Sequence, residues 1–410
     1  MNIGFIWHSV YPWDVRLEKM SDACIEAGHS VSIVCKGRRD CSERETVNGA
    51  NVFRISSKTT HPSLGSKLMA YPLFFSPVWR SRALAALTAS EVDVVIVRDL
   101  PLAGLGLWVG RQLRKPVLLD MAENYPAALV AYQKLMYRPF LVNDAWLPRK
   151  YEERTVRRVD HIFVVAQEQR ERLISLGVKP ARITTVGNTP IQSFIDAAAV
   201  TAECSTKMNL LYVGNLDKHR GADLLISAFS KFRNEFRYAR LTLVGDGNHR
   251  EALITMVKKL HLEDAVSFPG WVKWSRIADF IRQSTICLIP HLRSEHTDTT
   301  LPNKLFDYMA FSKPVVASDC APLKRIIEQE RCGKVFRSGD ADDLVAALSR
   351  TAMDPSAREE GRNGRAAVER EYNWNVDKNK LLTALEHVSR TATNRLSITS
   401  IYSRPAAVSA

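Results

Sequence analysis

Long apolar runs are missing from this sequence of 410 residues. No stretch of about 18 residues is continuously apolar, so no membrane-spanning helix is predicted. The opening MNIGFIWHSV shows neither a basic n-region nor a cleavage site, and the expectation is a chain without a secretory leader. Cysteine is sparse and unpatterned. Cys24, Cys35, Cys41, Cys204, Cys287, Cys320 and Cys332 form no CxxC pair, and no two lie at a metal-ligand spacing with histidine, so no metal site is predicted. Cys24, Cys35 and Cys287 sit inside apolar runs, which predicts buried, reduced thiols and a reducing compartment. A GxGxxG fingerprint is absent after the first strand pattern, and the nearest imitation, Gly104 to Gly110, has the wrong final spacing for a dinucleotide loop. Acids are outnumbered, 44 against 57 Lys and Arg, for a net charge of +13. That excess speaks to partners and not to fold. Nucleic acid, anionic lipid and a phosphorylated substrate all stay open on charge alone.

What is present is length for two domains, 46% hydrophobic residues, and strand patterns alternating with helix patterns in both halves. In the first half, Ile3–Trp7, Val31–Cys35, Val52–Ile55, Val92–Val97, Pro116–Asp120, Ile162–Val165 and Ile183–Val186 read as strands. A helix over Arg16–Ala27, closed by Gly28, makes the start a β-loop-α-β unit and so predicts a parallel sheet. Asp99, Asp120 and Glu123 then fall at carboxyl ends of strands, where open α/β sheets bind ligands. A carboxylate there can serve as a base or orient a sugar hydroxyl, or simply cap a helix or pair with a base. Two basic, aromatic segments stand out, Ser66–Arg82 and Tyr132–Arg158. Each fits either a helix packed on the sheet or a segment lying on an anionic bilayer.

The second half begins after a small, polar stretch, Ala197–Lys207, that suits a hinge. Strand Asn209–Val213 ends in Gly214-Asn-Leu-Asp-Lys-His-Arg-Gly221, a basic loop in which Lys218 and Arg220 can bind phosphate oxygens. Strand Arg240–Val244 ends in Gly245-Asp246-Gly247, which permits close backbone approach by a ligand. The stretch Glu295–Asp319 organises the rest: a polar loop, Pro302, an amphipathic helix carrying Leu305, Phe306 and Met309, and a short buried strand. Proline suits a first helical turn, so a helix start is predicted at Leu301–Lys304, with free N–H groups and the Lys304 charge facing outward. Asp307, one turn in, can accept from two neighbouring hydroxyls. Arg390–Ala410 has no periodicity and is expected to be disordered.

In order and at this spacing, YPWDVRLEKMSDACIEAGHSV, VRDLPLAGLG, DMAENYP, VGNLDKHRGADLLI, LVGDGNHREAL, FPGWV and LPNKLFDYMAFSKPVVASD resemble the family 4 glycosyltransferases of the GT-B fold over nearly all of residues 1–390. The resemblance implies an α/β architecture of two Rossmann-like, doubly wound parallel-sheet domains facing across a cleft. It implies an acceptor-binding domain over 1–190, a linker over 191–208, a nucleotide-sugar domain over 209–372, a crossover helix over 373–390 and a tail over 391–410. Asp307 matches the second glutamate of the family's EX7E motif and would bind ribose hydroxyls. The backbone of Leu301, Pro302, Asn303 and Lys304 would hold the distal phosphate, Arg220 would contact the diphosphate, and Gly214, Lys218, Gly245, Asp246 and Gly247 would line the donor pocket. Asp120 and Glu123 fall where the family places an acceptor-side catalytic or orienting group, with Asp14, Arg16 and Asp99 nearby. Three positions depart from the pattern: Thr299 replaces the first EX7E glutamate, Asn215 replaces the phosphate-loop arginine, and Ala122 falls near where a histidine is frequent.

The implied reaction is retaining transfer of a sugar from a UDP- or GDP-sugar, with Arg220 and Lys304 stabilising the leaving group and no essential metal or other cofactor. The implied acceptor is a saccharide or lipid-linked saccharide in cell-surface polysaccharide synthesis. The chain is expected in the cytoplasm, peripherally at the inner face of the membrane. A GT-B nucleotide-sugar epimerase, or an inactive sugar-nucleotide binder, is the alternative. Nucleic acid is not expected as a partner, because the basic residues lie in loops without a recognisable motif.

Overall fold

A computed structural model describes residues 1–38, 40–55, 76–132, 146–198 and 208–402. The first sheet comprises β1 (Asn2–Trp7), β2 (Ser30–Lys36), β3 (Arg44–Val47), β4 (Ala50–Ile55), β5 (Val94–Arg98), β6 (Val117–Met121), β7 (His161–Val164) and β8 (Ile183–Thr185), in the order β3-β4-β2-β1-β5-β6-β7-β8. The second comprises β9 (Asn209–Val213), β10 (Arg240–Val244), β11 (Val266–Gly270), β12 (Ile286–Ile289), β13 (Val315–Ser318) and β14 (Gly333–Phe336), in the order β11-β10-β9-β12-β13-β14. Every pair is parallel except β3 with β4. The central strands are largely apolar because helices cover both faces, and β5, β6, β7, β12 and β13 are buried at every residue, the polar Arg98, Asp120, His161 and Ser318 included. Strand order reverses beside β1 in one sheet and β9 in the other, so the loops after these strands open onto crevices at the carboxyl edges.

Strand β3 escapes the sequence reading because RETV is mostly polar and its burial is only partial. It forms a hairpin with β4 through Asn48-Gly49, both at positive φ (50° and 82°), as a two-residue turn matching strand twist demands. The expected linker is partly a helix, Gln192–Ala198, whose Phe194 and Ile195 are buried in the second domain's core. The rest of the predicted hinge, 199–207, lies outside the described residues. Of the expected disordered tail, residues 391–402 belong to a helix and 403–410 lie outside the described residues. Trp374–Tyr402 is one 29-residue helix, since no proline or glycine interrupts it before Pro405. Its Trp374, Leu381, Leu385 and Val388 share a core with Leu17, Met20 and Val186 of the first domain. Asp377 accepts a 2.7 Å hydrogen bond from Thr189 Oγ1. Of the basic, aromatic segments, residues 66–75 and 133–145 lie outside the described residues. Trp79, 1% exposed in the helix Pro77–Ala89, is a core residue and unavailable to a membrane.

Candidate active site between the two domains

Two glycines shape the second domain's side of the cleft. The loops after β9 and β10 pass so close that a Cβ on Gly245 would lie 1.9 Å from the Gly214 carbonyl oxygen, and both residues hold φ near +136° to +139°. On the other side of Gly214 sits the Lys304 ammonium, 2.6 Å from where a Gly214 Cβ would be and 3.9 Å from the Tyr212 ring centroid. Lys304 is the second residue of the helix Asn303–Ala310, and Pro302 occupies its N-cap without a side-chain bond. The first-turn N–H groups are therefore left without a capping side chain. Arg220 ends a single tight turn, Lys218–Arg220. Gly221 follows at φ +72°, where a Cβ would lie 1.9 Å from the Pro290 carbonyl oxygen.

These cations face few counter-charges. Burial, then the Arg220 charge, push the Lys304 amine well below the ordinary lysine value, against the pull of Asp307. Burial raises Asp307 to about 7, opposed by Lys19 of the first domain and by Lys304. Beside them burial lowers His219 and His296 to about 4, with Arg220 adding to both, and takes His291 well below its usual range. An anion with two charges relieves this crowding, since an opposite charge favours each cationic form.

The first domain offers the opposite sign. Asp99 follows β5 at φ 65°, ψ 161°, a conformation that is essentially glycine's. It is paired with Arg98, which also reaches Asp14 at 3.3 Å and Asp120 at 3.5 Å. Burial raises Asp99 to about 7 despite Arg98, and Glu123, Asp120 and Asp14 push the same way. Asp14 also caps the helix Val15–Glu26, accepting from Leu17 N at 2.7 Å. Asp120 is different. Both its oxygens accept from Arg16, at 2.7 to 2.9 Å, and the pair is buried. Arg16 also donates to the carbonyls of Val186 and Gly187 and to Asn188 Oδ1. Asp120, expected as an acceptor-side catalytic or orienting group, and Arg16, expected beside the acceptor, are thus paired with each other and join the first helix to β6 and the end of β8.

Across the cleft, Arg220 Nη2 donates to Tyr132 Oη at 3.0 Å, and that hydroxyl donates to Glu123 Oε1 at 3.4 Å. Glu295 pairs with Arg149 at 2.7 Å and accepts from Asn124 Nδ2 at 3.4 Å. Arg325 meets Glu168 at 2.7 Å. Several predicted donor residues are placed less directly. Lys218 is exposed, without a side-chain partner among the described residues. Asn215 is exposed, its carbonyl accepting from Tyr212 Oη at 2.6 Å. Thr299 donates to the Glu295 carbonyl at 2.7 Å. Asp246 accepts from Gly247 N at 2.8 Å, Leu301 is buried and Asn303 exposed. Sequence reasoning missed Lys19, Tyr132, Arg149, His219, His291 and His296. Some carried a signal: His219 and His296 fall in the two loop stretches already singled out, and Tyr132 and Arg149 in the basic, aromatic segment Tyr132–Arg158.

Two Rossmann-like domains facing across a cleft, here with Arg220 and Lys304 on one side and carboxylates on the other, define the GT-B architecture. A family model described as glycosyl transferase 4-like domain matches residues 14–189, and one described as glycosyl transferases group 1 matches residues 207–354. The phosphatidyl-myo-inositol mannosyltransferase of Mycolicibacterium smegmatis is 26% identical over 400 residues, covering 95% of this chain and 94% of that protein. Sucrose-phosphate synthase from Thermosynechococcus elongatus superposes with a TM-score of 0.71 at 19% identity, covering 95% and 100% of the two chains. HepE of Anabaena in complex with UDP gives 0.71 at 14%, covering 94% and 100%. These structural likenesses speak to fold. The chain belongs to the group 1 glycosyltransferases of the family 4 type, and is a glycosyltransferase.

Proposed function

We propose that this enzyme moves a sugar, with retention, from a UDP- or GDP-sugar bound in the second domain to a saccharide or lipid-linked saccharide held by the first. The observation that carries this reading is the convergence of Arg220, Lys304 and an uncapped helix start on one spot at the cleft. As the bond from the anomeric carbon to phosphate breaks, the leaving diphosphate gains charge, and preorganised cations stabilise it there. Asp307 binds the ribose hydroxyls. The acceptor hydroxyl bonds to the anomeric carbon on the departing face and gives its proton to the leaving phosphate oxygen, while Asp99 and Glu123 orient it. Arg220 and Lys304 supply the positive charge a metal would otherwise bring, so activity should persist in a chelator. The UDP named in the HepE complex agrees with a uridine donor.

A membrane-bound acceptor is supported by the lipid named for the mycobacterial relative. A groove between the helices Ala103–Leu113 and Trp146–Val156 also supports it. Arg111, Arg114, Arg154 and Arg158 line it without ion-pair partners among the described residues, beside Trp146, which is 57% exposed. Among the described residues no helix is long and apolar enough to cross a membrane, so attachment would be peripheral, at the inner face, in cell-surface polysaccharide synthesis. Thermal-shift screening of UDP- and GDP-sugars tests the donor: a rise with one nucleotide class supports the reading, and no rise with any overturns it. Flotation with anionic vesicles at low salt tests the membrane arm, which fails if the protein shows no preference for them.

A further inference from the structure

Three imidazoles crowd the donor pocket, and the transfer as described leaves them idle. His219 precedes Arg220, His291 follows β12, and His296 lies in the loop beyond. His291 and His296 are 2% and 1% exposed. The His219 and His296 rings lie 6.4 Å apart and both pack on Tyr132, at 4.7 and 5.6 Å. One ring nitrogen of each, His219 Nε2, His291 Nε2 and His296 Nδ1, is buried without a hydrogen-bond partner among the described residues. Buried polar atoms are normally paired, and three unpaired ones in a single pocket mark a surface shaped to meet a ligand.

We infer that His219, His291 and His296 belong to the diphosphate subsite, and that binding a nucleotide sugar protonates this cluster, so that donor binding takes up protons from solution. The inference rests on the proposed donor pocket. From the second domain the cluster faces Arg220, Lys304 and, beside His219, Asp217. From the first it faces Tyr132, with Glu123 behind it, while Glu295 next to His296 is held by Arg149. Without a bound anion, burial and the neighbouring cations keep the imidazoles neutral. Two phosphate charges reverse that field and give the unpaired nitrogens an acceptor for an N–H. Protons then enter with the donor, and its affinity rises as pH falls.

Isothermal titration with UDP-glucose and with GDP-mannose, at pH 6.5 in buffers of different ionisation enthalpy, reads this directly. Both ligands carry fully ionised phosphate diesters, so a buffer-dependent enthalpy reports protein groups. The expected uptake is on the order of one proton per nucleotide, at a pH where an ordinary histidine is half protonated. The doubly substituted variant His219→Asn/His296→Asn, checked for folding by its melting temperature, should bind with clearly less uptake. If that variant does not fold, Lys304→Met decides, since uptake carried by imidazoles persists in it. A buffer-independent enthalpy with binding intact overturns the inference alone, as does full uptake in the double variant or its disappearance in Lys304→Met. Failure of both nucleotide sugars to bind overturns the donor-pocket reading beneath it.

Discussion

Asp99→Asn should stabilise the protein, and by more at alkaline than at acidic pH. Burial raises the Asp99 carboxyl from 3.8 to about 7, so folding favours its protonated form. The sign follows from linkage: the contribution is fully present below pH 3.8 and is lost as pH rises through about 7. With one unit worth about 1.4 kcal/mol, ionised Asp99 costs the fold on the order of 4 kcal/mol at pH 8 and on the order of 1–2 kcal/mol at pH 5. The side chain is 15% exposed, so solvent screening discounts little of this. Asparagine does not titrate and keeps the backbone as it is, and Arg98 retains Asp14 and Asp120 as partners. The stability difference between variant and parent should therefore widen by about 2–3 kcal/mol from pH 5 to pH 8. At about 2–4 °C per kcal/mol for a domain of this size, the melting-temperature difference should grow by roughly 4–12 °C. A difference that is flat with pH, or that shrinks toward pH 8, refutes the buried, strained carboxylate at this position.

Other substitutions separate chemistry from scaffold. Arg220→Ala and Lys304→Ala should each lower kcat/KM on the order of 10²-fold, measured as sugar transfer from the donor found by screening. Arg16→Ala should destabilise by about 3 kcal/mol, seen in urea denaturation, because it removes the close, bidentate partner of buried Asp120 and leaves it only the longer 3.5 Å pairing with Arg98. An acceptor contact would instead raise KM and leave stability alone. Gly245→Ala should lose on the order of 3 kcal/mol or more and much of the soluble yield, since its new carbon would lie 1.9 Å from a backbone oxygen.

The parallel sheets were legible because strands buried on both faces leave unbroken apolar runs such as VDVVIV and PVLLD, and helices between them carry clear periodicity. The donor loops were legible for a related reason. Gly214, Gly221, Gly245 and Pro302 mark backbone that only particular residues permit, and such positions print themselves locally. Side-chain partnerships across the cleft leave no local print. Arg220 meets Tyr132 from 88 residues away, and Glu295 meets Arg149 from 146. Asp120 and Glu123 look alike as acids after one strand, yet one is sealed beneath Arg16 and the other faces the cleft. The tail misled because composition was weighed ahead of the absence of a helix breaker.

The account stands most directly on the affinity of nucleoside diphosphates for the parent protein and for the combined Arg220→Ala/Lys304→Ala variant, measured by isothermal titration with UDP and GDP at fixed ionic strength. The parent should bind one of the two, and the variant at least about 100-fold more weakly while melting no lower, because a buried, mutually repelling pair has been removed. Equal affinity in both proteins, or no binding to the parent, would contradict it.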